Sequence, residues 1–474
     1  MRTKLIIILA FFFLTYCNKN DYNNNEVSTC DSLKNYYGDI TFSTQKDIDD
    51  FDKLGYTAIH GYVILNSDNS DDDPIKNLNG LLECITYIEN GVYISNNSEL
   101  ESLEGFLNNV TSLNNLTIEN NNSLVVFNGF NSLISIENRL KISNNDTLEN
   151  MEGLTNNVTS IYRLLIESNA NLENLNGLNA ISNINEISII NNDSLESLEG
   201  FINGISSCNH LTIKDNEVLS NMNGLENLVS ISNLLIRNNS NLINLGWFDA
   251  LTNVTNVEIN NNASLENLNG FLTNVSSINS LYISKNPNLL NLEGLENLNT
   301  LNDLFIINND GLIDLNGLDN LTNISNSIFI NYNELLSNIN VLSANTNNNL
   351  DYISIEENPS LMNLNGLINL TNVGAIKISD NDSLVNLEGL DNLVSTGIYQ
   401  REGIYIEFND GLVNVDALSN LITVNTLSIG FNTSMSNLCG ITNLITNGSY
   451  VVYDIAQNIY NPSVNDFLTG NCSL

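Results

Sequence analysis

The chain has 474 residues, with 15 lysines and arginines against 54 aspartates and glutamates, a formal net charge of −39 and a pI near 4.1. Only 15% of the residues are charged, so the acidity comes from missing bases, while asparagine, at 97 residues, makes up about a fifth of the chain. So negative a surface excludes nucleic-acid binding by counterion release, 42% hydrophobic residues exclude a disordered acidic tail, and two histidines leave little material for acid–base or metal chemistry.

The chain opens with positive charge at Met1-Arg2-Thr3-Lys4, then an unbroken apolar run from Leu5 to Leu14. That run is too short for a spanning helix of about twenty residues and reads as the core of an export signal. It leads through Thr15 and Tyr16 into Cys17, followed by the polar stretch Asn18 to Asn25. Apolar run, cysteine and polar tether resemble a bacterial lipoprotein signal, which implies lipidation at Cys17; Tyr16 stands where that pattern has a small residue. The expected organisation is a signal over 1–17, a tether over 18–29, a cap with the first coil over 30–78, a repeat body over 79–435 and a closing cap over 436–474. An exported chain meets an oxidising compartment, and the remaining cysteines bracket the two ends of the regular region. Bridges Cys30–Cys84 and Cys439–Cys472 are therefore predicted, with Cys208 left over.

The acidic run Asp68 to Asp73 lies between cap and first coil. It lacks the glycine and closing glutamate of a calcium loop and reads as a solvated insertion. Beyond it the chain repeats every 23 to 25 residues or so, about sixteen times. The skeleton is L-x-x-L-x-I-x-x-N-x-x-L-x-x-L-x-G-[LF]-x-x-L, as in Leu113 to Leu133. The L-x-I element alternates with period two and predicts a short strand burying both apolar residues. Such a strand cannot stand alone, but stacked coils make a parallel sheet with strands about 4.8 Å apart and a rod on the order of 75 Å long.

The repeat asparagine runs as Asn97, Asn121, Asn145, Asn169, Asn192, Asn216, Asn239, Asn262, Asn286 and Asn309, and continues to Asn458. Its amide both donates and accepts, so it can satisfy turn backbone groups that the sheet leaves unpaired. In register, these side chains predict a ladder along the rod. A glycine such as Gly129 follows at the next corner, with Trp247, Val341 and Ala417 as substitutes.

These coils resemble leucine-rich repeats and, more closely, the receptor L-domain, whose pattern L-x-x-I-x-x-x-L-x-I-x-x-N fits Leu133 to Asn145. The opening Gly38 to Gln45, Phe51 and Tyr56 to Gly61 resembles that of bacterial receptor L-domain lipoproteins. The ending Asn437 to Ile441, Asn458 to Pro462 and Gly470 to Cys472 resembles their closing cap. The resemblance implies a mainly β fold, a right-handed parallel β-solenoid at an outer surface, serving recognition.

Cys208 occupies an inward leucine position and reads as a buried thiol. His210 is two residues on but points elsewhere, so the pair does not make a nucleophile. His60 has no metal-spaced partner, and no zinc, phosphate-loop or catalytic-serine signature is present.

The column between the two buried strand residues runs Thr117, Lys141, Leu165, Ser188, Thr212, Leu235, Glu258, Tyr282, Phe305, Phe329, Ser354, Lys377, Tyr405 and Ser428. Tyr282, Phe305 and Phe329 are thus expected one above another, with Ile307, Tyr332, Phe408 and Phe431 in neighbouring columns. With Tyr405 these residues form the candidate ligand-binding surface; a self-stacking ladder is the structural alternative. The leading functional reading is a lipid-anchored recognition or adhesion module of the bacterial cell surface, binding a protein or glycan. It touches the membrane only through its lipid, as a monomer, with no nucleic acid, metal or cofactor. A structural spacer or coat protein is the second reading. A solenoid enzyme is the least favoured, because the face carboxylates Glu119, Glu167, Glu258, Glu356 and Glu407 are spread along the rod rather than clustered.

Overall fold

The computed structural model describes Cys30 and residues 33–67, 72–154, 157–200, 205–397 and 403–474, the side chain of Asn349 excepted. Cys17, the signal, the tether and residues 68–71 lie outside the described residues. The described chain is a parallel β-solenoid of about seventeen turns. One more turn than the repeat count suggests is explained at the start of the chain. Within the cap segment, strand Ile40–Phe42 already pairs with Tyr62–Asn66, which in turn pairs in register with Gly91–Ser95 of the body.

Each typical rung is longer than the L-x-I pattern predicts. Ser230–Arg237 and Asn253–Asn260 are eight-residue strands, and L-x-I is only their second half. The pairing reaches back to the preceding inward residue, Ile231 against Val254, before Leu234 meets Val257 and Ile236 meets Ile259. Between these inward residues two outward ones intervene, which breaks the period-two alternation and hides the first half from a pattern search. Asn372–Ser379 and Thr423–Gly430 enclose one rung in two pieces, Ser395–Thr396 and Gly403–Glu407. The terminal strands Ile40–Phe42 and Ser449–Ala456 pair only inward, so the sheet is an open ribbon.

One coil shows how the core is built. Leu242, Leu245, Phe248, Leu251, Val254, Val257 and Ile259 all point inward and are at most 2% exposed. Seven apolar side chains per turn, stacked on the next turn's seven, make one continuous core that no single coil could bury alone. The corner glycine permits close stacking. Gly294 has a φ of +113°, and a Cβ there would lie 1.9 Å from the carbonyl oxygen of Leu268 in the coil before. A 3₁₀ turn forms the corner where Val341 and Ala417 replace glycine, Asn340–Ala344 and Asp416–Asn420, and also at Gly366 and Gly440.

Two caps close the rod. Helix Gln45–Asp52 buries Ile48 and Phe51, and Thr44 with Asp47 forms a capping box at its start. Asp73, from the acidic run, also serves this helix: its backbone oxygen accepts from the Gln45 N–H and its carboxylate from the Lys46 N–H. At the far end the short helices Thr442–Asn447 and Val464–Leu468 fold over the last coil, and Phe467 is buried there. Disulfides Cys30–Cys84 and Cys439–Cys472 tie down the two ends.

The asparagines form an unbroken internal ladder. Asn262 is fully buried. Its Oδ1 accepts from the backbone N–H of Asn239 at 3.1 Å and from the Asn239 amide at 3.4 Å. Its Nδ2 donates to the carbonyls of Ile236 and Asn260, at 3.2 and 3.3 Å, and its own backbone N–H donates to Oδ1 of Asn286. The pattern recurs from Asn97 to Asn458. Ser67 Oγ donates to Asn97 Oδ1 at one end, and Asn461 Oδ1 accepts from the Asn458 N–H at the other. Asn262→Leu fits the volume but leaves these backbone groups unpartnered. It is expected to cost about 3 kcal/mol or more in chemical denaturation, whereas the outward Asn320→Ser should cost under about 0.5 kcal/mol.

Candidate functional site

The outward face of the sheet carries the predicted column in the predicted register. Glu258 lies beside Tyr282, Tyr282 beside Phe305, and Phe305 beside Phe329. Their rings touch: Tyr282 and Phe305 have centroids 5.7 Å apart, and Phe305 and Phe329 stack at 4.9 Å with an interplanar angle of 14°. A fourth ring, Tyr352, stacks on Phe329 at 5.4 Å. It belongs to a different column, two residues before Ser354, and its ring reaches across; reading one column at a time misses it. These rings are half-buried, each covering the next. Tyr405, further along the column, lies between Lys377 and Ser428.

The remaining candidates occupy the corner where strand meets turn. The residue before every ladder asparagine has a left-handed backbone, with φ between +52° and +62° from Asn96 to Gln457. Asparagine fills seven of these sixteen positions, because its short amide tolerates that conformation better than other side chains with a Cβ. Tyr332, Phe408 and Phe431 stand at the same position and are 46%, 45% and 38% exposed. A bulky ring there is strained and turned to solvent. Phe408 and Phe431 stack on each other at 4.5 Å. Tyr332 lies in a groove with Asp310, Glu334, Glu357, Asp380 and Asp382, and a hydrogen bond to Glu357 raises its hydroxyl pKa above the ordinary value. Ile307 pairs with Asn331, one residue short of Tyr332. The candidates thus form two groups, a ladder from Tyr282 to Tyr352 flanked by Ile307 and Tyr332, and a pair at Phe408 and Phe431 beside Tyr405.

Charge is distributed unevenly on this frame. After residue 79 the described lysines and arginines are Arg139, Lys141, Arg163, Lys214, Arg237, Lys285 and Lys377, and every one lies on the sheet face or its corner. Glu119 holds Lys141 at 2.7 Å, Glu186 holds Arg163, and Glu356 holds Lys377, whose pKa that bond raises. Glu356 also accepts from Ser354 and Ser379, and Glu407 from Ser428. These carboxylates are tied into face networks. Among the described residues no group of three or more histidines, cysteines or carboxylates is placed to hold a metal ion.

Cys208 is a buried free thiol, and burial pushes its pKa up to about 12. His210 points outward and bonds Asn233 at 3.2 Å. It begins a second, exposed ladder through Asn233, Asn256, Asn279 and Asn302. His60 stacks on Tyr37 at 4.8 Å and meets Glu89 at 3.2 Å.

No family model matches the chain, and no curated protein matches it. Among solved structures, the crystal structure of a TLR13–ssRNA13 complex is similar at 17% identity with a TM-score of 0.30, covering 92% of this chain and 70% of that one. A leucine-rich repeat protein from Bacteroides ovatus is similar at 15% identity with a TM-score of 0.22, covering 83% of this chain and 82% of that one. 

Phe431→Asn exchanges a ring stack worth about 1 kcal/mol for relief of a left-handed strain of similar size. Its stability is expected to stay within about 1 kcal/mol of the unmodified protein in urea unfolding. A thiol reagent at pH 8 should leave Cys208 unmodified in the native protein and modify it once the chain is unfolded.

Proposed function

We propose that the chain is a recognition module, exported and held at a bacterial cell surface by a lipid on Cys17, that binds a protein or glycan ligand through the aromatic part of its sheet face. The observation that carries the reading is the placement of Tyr332, Phe408 and Phe431. Each pays backbone strain at a position where asparagine serves the fold at lower cost, and each is exposed. Exposed rings beside a half-buried ladder give a contact surface with little side-chain entropy to lose, which is what a binding anchor requires. The spread of carboxylates into structural networks supports binding over catalysis, and the charge of −39 supports a monomer. The resemblance to receptor L-domain lipoproteins in the repeat and at both ends favours the same reading.

A second reading has its own observation. The Tyr282 to Tyr352 rings cover one another, so that ladder alone is also what a rigid spacer would use to stiffen its coils. Phe305→Ser with Phe329→Ser separates the two. Recognition through the ladder predicts loss of capture from arrays of surface glycans and proteins with a folded, cooperatively melting chain; undiminished capture would remove the aromatic ladder from consideration. Cys17→Ala should release the chain from membranes to the soluble fraction and abolish labelling by a fatty-acid analogue.

A further inference from the structure

Buried polar atoms are almost always hydrogen-bonded, and each exception calls for a reason. Among the described residues four buried side-chain atoms lack a partner, and three of them fall on two adjacent strands of the sheet face: Thr117 Oγ1, Arg139 Nε and Ser143 Oγ. They lie on adjacent strands, Ser112–Glu119 and Ser135–Ser143, in direct register: Asn115 beside Arg139, Thr117 beside Lys141, Glu119 beside Ser143. Thr117 and Ser143 are each 1% exposed. On its other side Thr117 neighbours the half-buried ring of Tyr93. The spot lies several coils from the aromatic ladder.

Charge sharpens the picture. Lys141 is held by Glu119 and Arg163, one coil on, by Glu186. Arg139 has no carboxylate partner among the described residues, although acids outnumber bases on this chain by 54 to 15. An arginine left unpaired in such an acidic protein, with a buried N–H unmet and two further buried, unmet hydroxyls on the same two strands, has the donors and acceptors of a binding subsite without its ligand.

We propose that Tyr93, Thr117, Arg139, Lys141 and Ser143 form a subsite for an acidic sugar, a hexuronate residue of a glycan. The carboxylate of the sugar accepts from the Arg139 guanidinium, which matches its geometry with two parallel N–H bonds. Its ring hydroxyls give the Thr117 and Ser143 hydroxyls the partners they lack. The Tyr93 ring offers a flat negative face to the C–H edge of the pyranose. Lys141 and Tyr93, the neighbours of Thr117 in its column, leave it covered, so the sugar enters by moving the Lys141 arm. The Lys141–Glu119 bond is partly solvated and weak enough to yield. Nucleic-acid phosphates fit poorly, because only one cation here is free to neutralise them. The inference rests on the sheet face being the recognition surface, not on the aromatic ladder.

The test is calorimetric titration of the full chain with three probes: an oligogalacturonate, its methyl ester and an oligoglutamate peptide. The oligogalacturonate should bind, and the ester and peptide should bind about tenfold or more weakly. Arg139→Met, Thr117→Val and Ser143→Ala should each weaken binding about tenfold. Thr117→Val and Ser143→Ala remove unpartnered hydroxyls, so both should melt at or above the temperature of the unmodified chain, which keeps the result apart from misfolding. Absence of oligogalacturonate binding up to about 10 mM, equal binding of ester or peptide, or binding indifferent to all three substitutions would overturn the proposal. Phe305→Ser with Phe329→Ser should leave oligogalacturonate binding intact, so the two sites fail or stand separately.

Discussion

A stack of coils has to solve one problem at every turn: where the strand ends, its backbone groups face inward and have no strand partner. The asparagine ladder is the solution on which the rest of the molecule depends. Each amide accepts from the coil before and donates to that coil's carbonyl as well as its own, so an inward polar group becomes fully bonded within an apolar core. The ladder also fixes register. Successive ladder asparagines are 23 to 25 residues apart along most of the rod. From Asn381 to Asn409 the separation is 28, yet the bond is kept. Extra residues are therefore admitted elsewhere in the coil, while the ladder position itself stays fixed.

The face inherits its properties from that fixed point. A left-handed residue must precede each ladder asparagine, so asparagine is favoured there too, and the two positions together produce the many Asn-Asn pairs. Departures from that preference carry information because they strain the backbone: three aromatic rings stand at corners where a short amide is accommodated with less strain. In the same way, the few described cations after residue 79 collect on the sheet side, while the net negative charge discourages edge-to-edge association of an open ribbon. If the sheet face is the recognition surface, recognition and the dispersal of net negative charge use different surfaces of the rod.

The sequence showed most of the frame because the frame is periodic. L-x-I followed by asparagine states both the inward pair and the ladder, and stacking carries the alignment directly into columns, so Tyr282, Phe305 and Phe329 could be placed one above another. What escaped was set across coils or by backbone geometry. Tyr352 joins the rings from another column by reach alone. Asn461 ends the ladder from only three residues beyond Asn458, outside the repeat. The orphaned atoms at Thr117, Arg139 and Ser143 leave no mark in the pattern, since a threonine on an outward column reads as exposed. Its burial comes from the neighbours Tyr93 and Lys141, 24 residues away on either side, and side-chain size across coils has no period.

The measurement closest to the central claim is hydrogen exchange of asparagine side-chain amides, read by NMR on protein labelled with ¹⁵N at asparagine alone. If the ladder holds the coils, the fifteen fully buried amides from Asn97 to Asn432 remain visible long after transfer to deuterated water and disappear together only on global unfolding. Loss of those signals at the rate of the surface asparagine amides, in a protein that is still folded, would contradict the account.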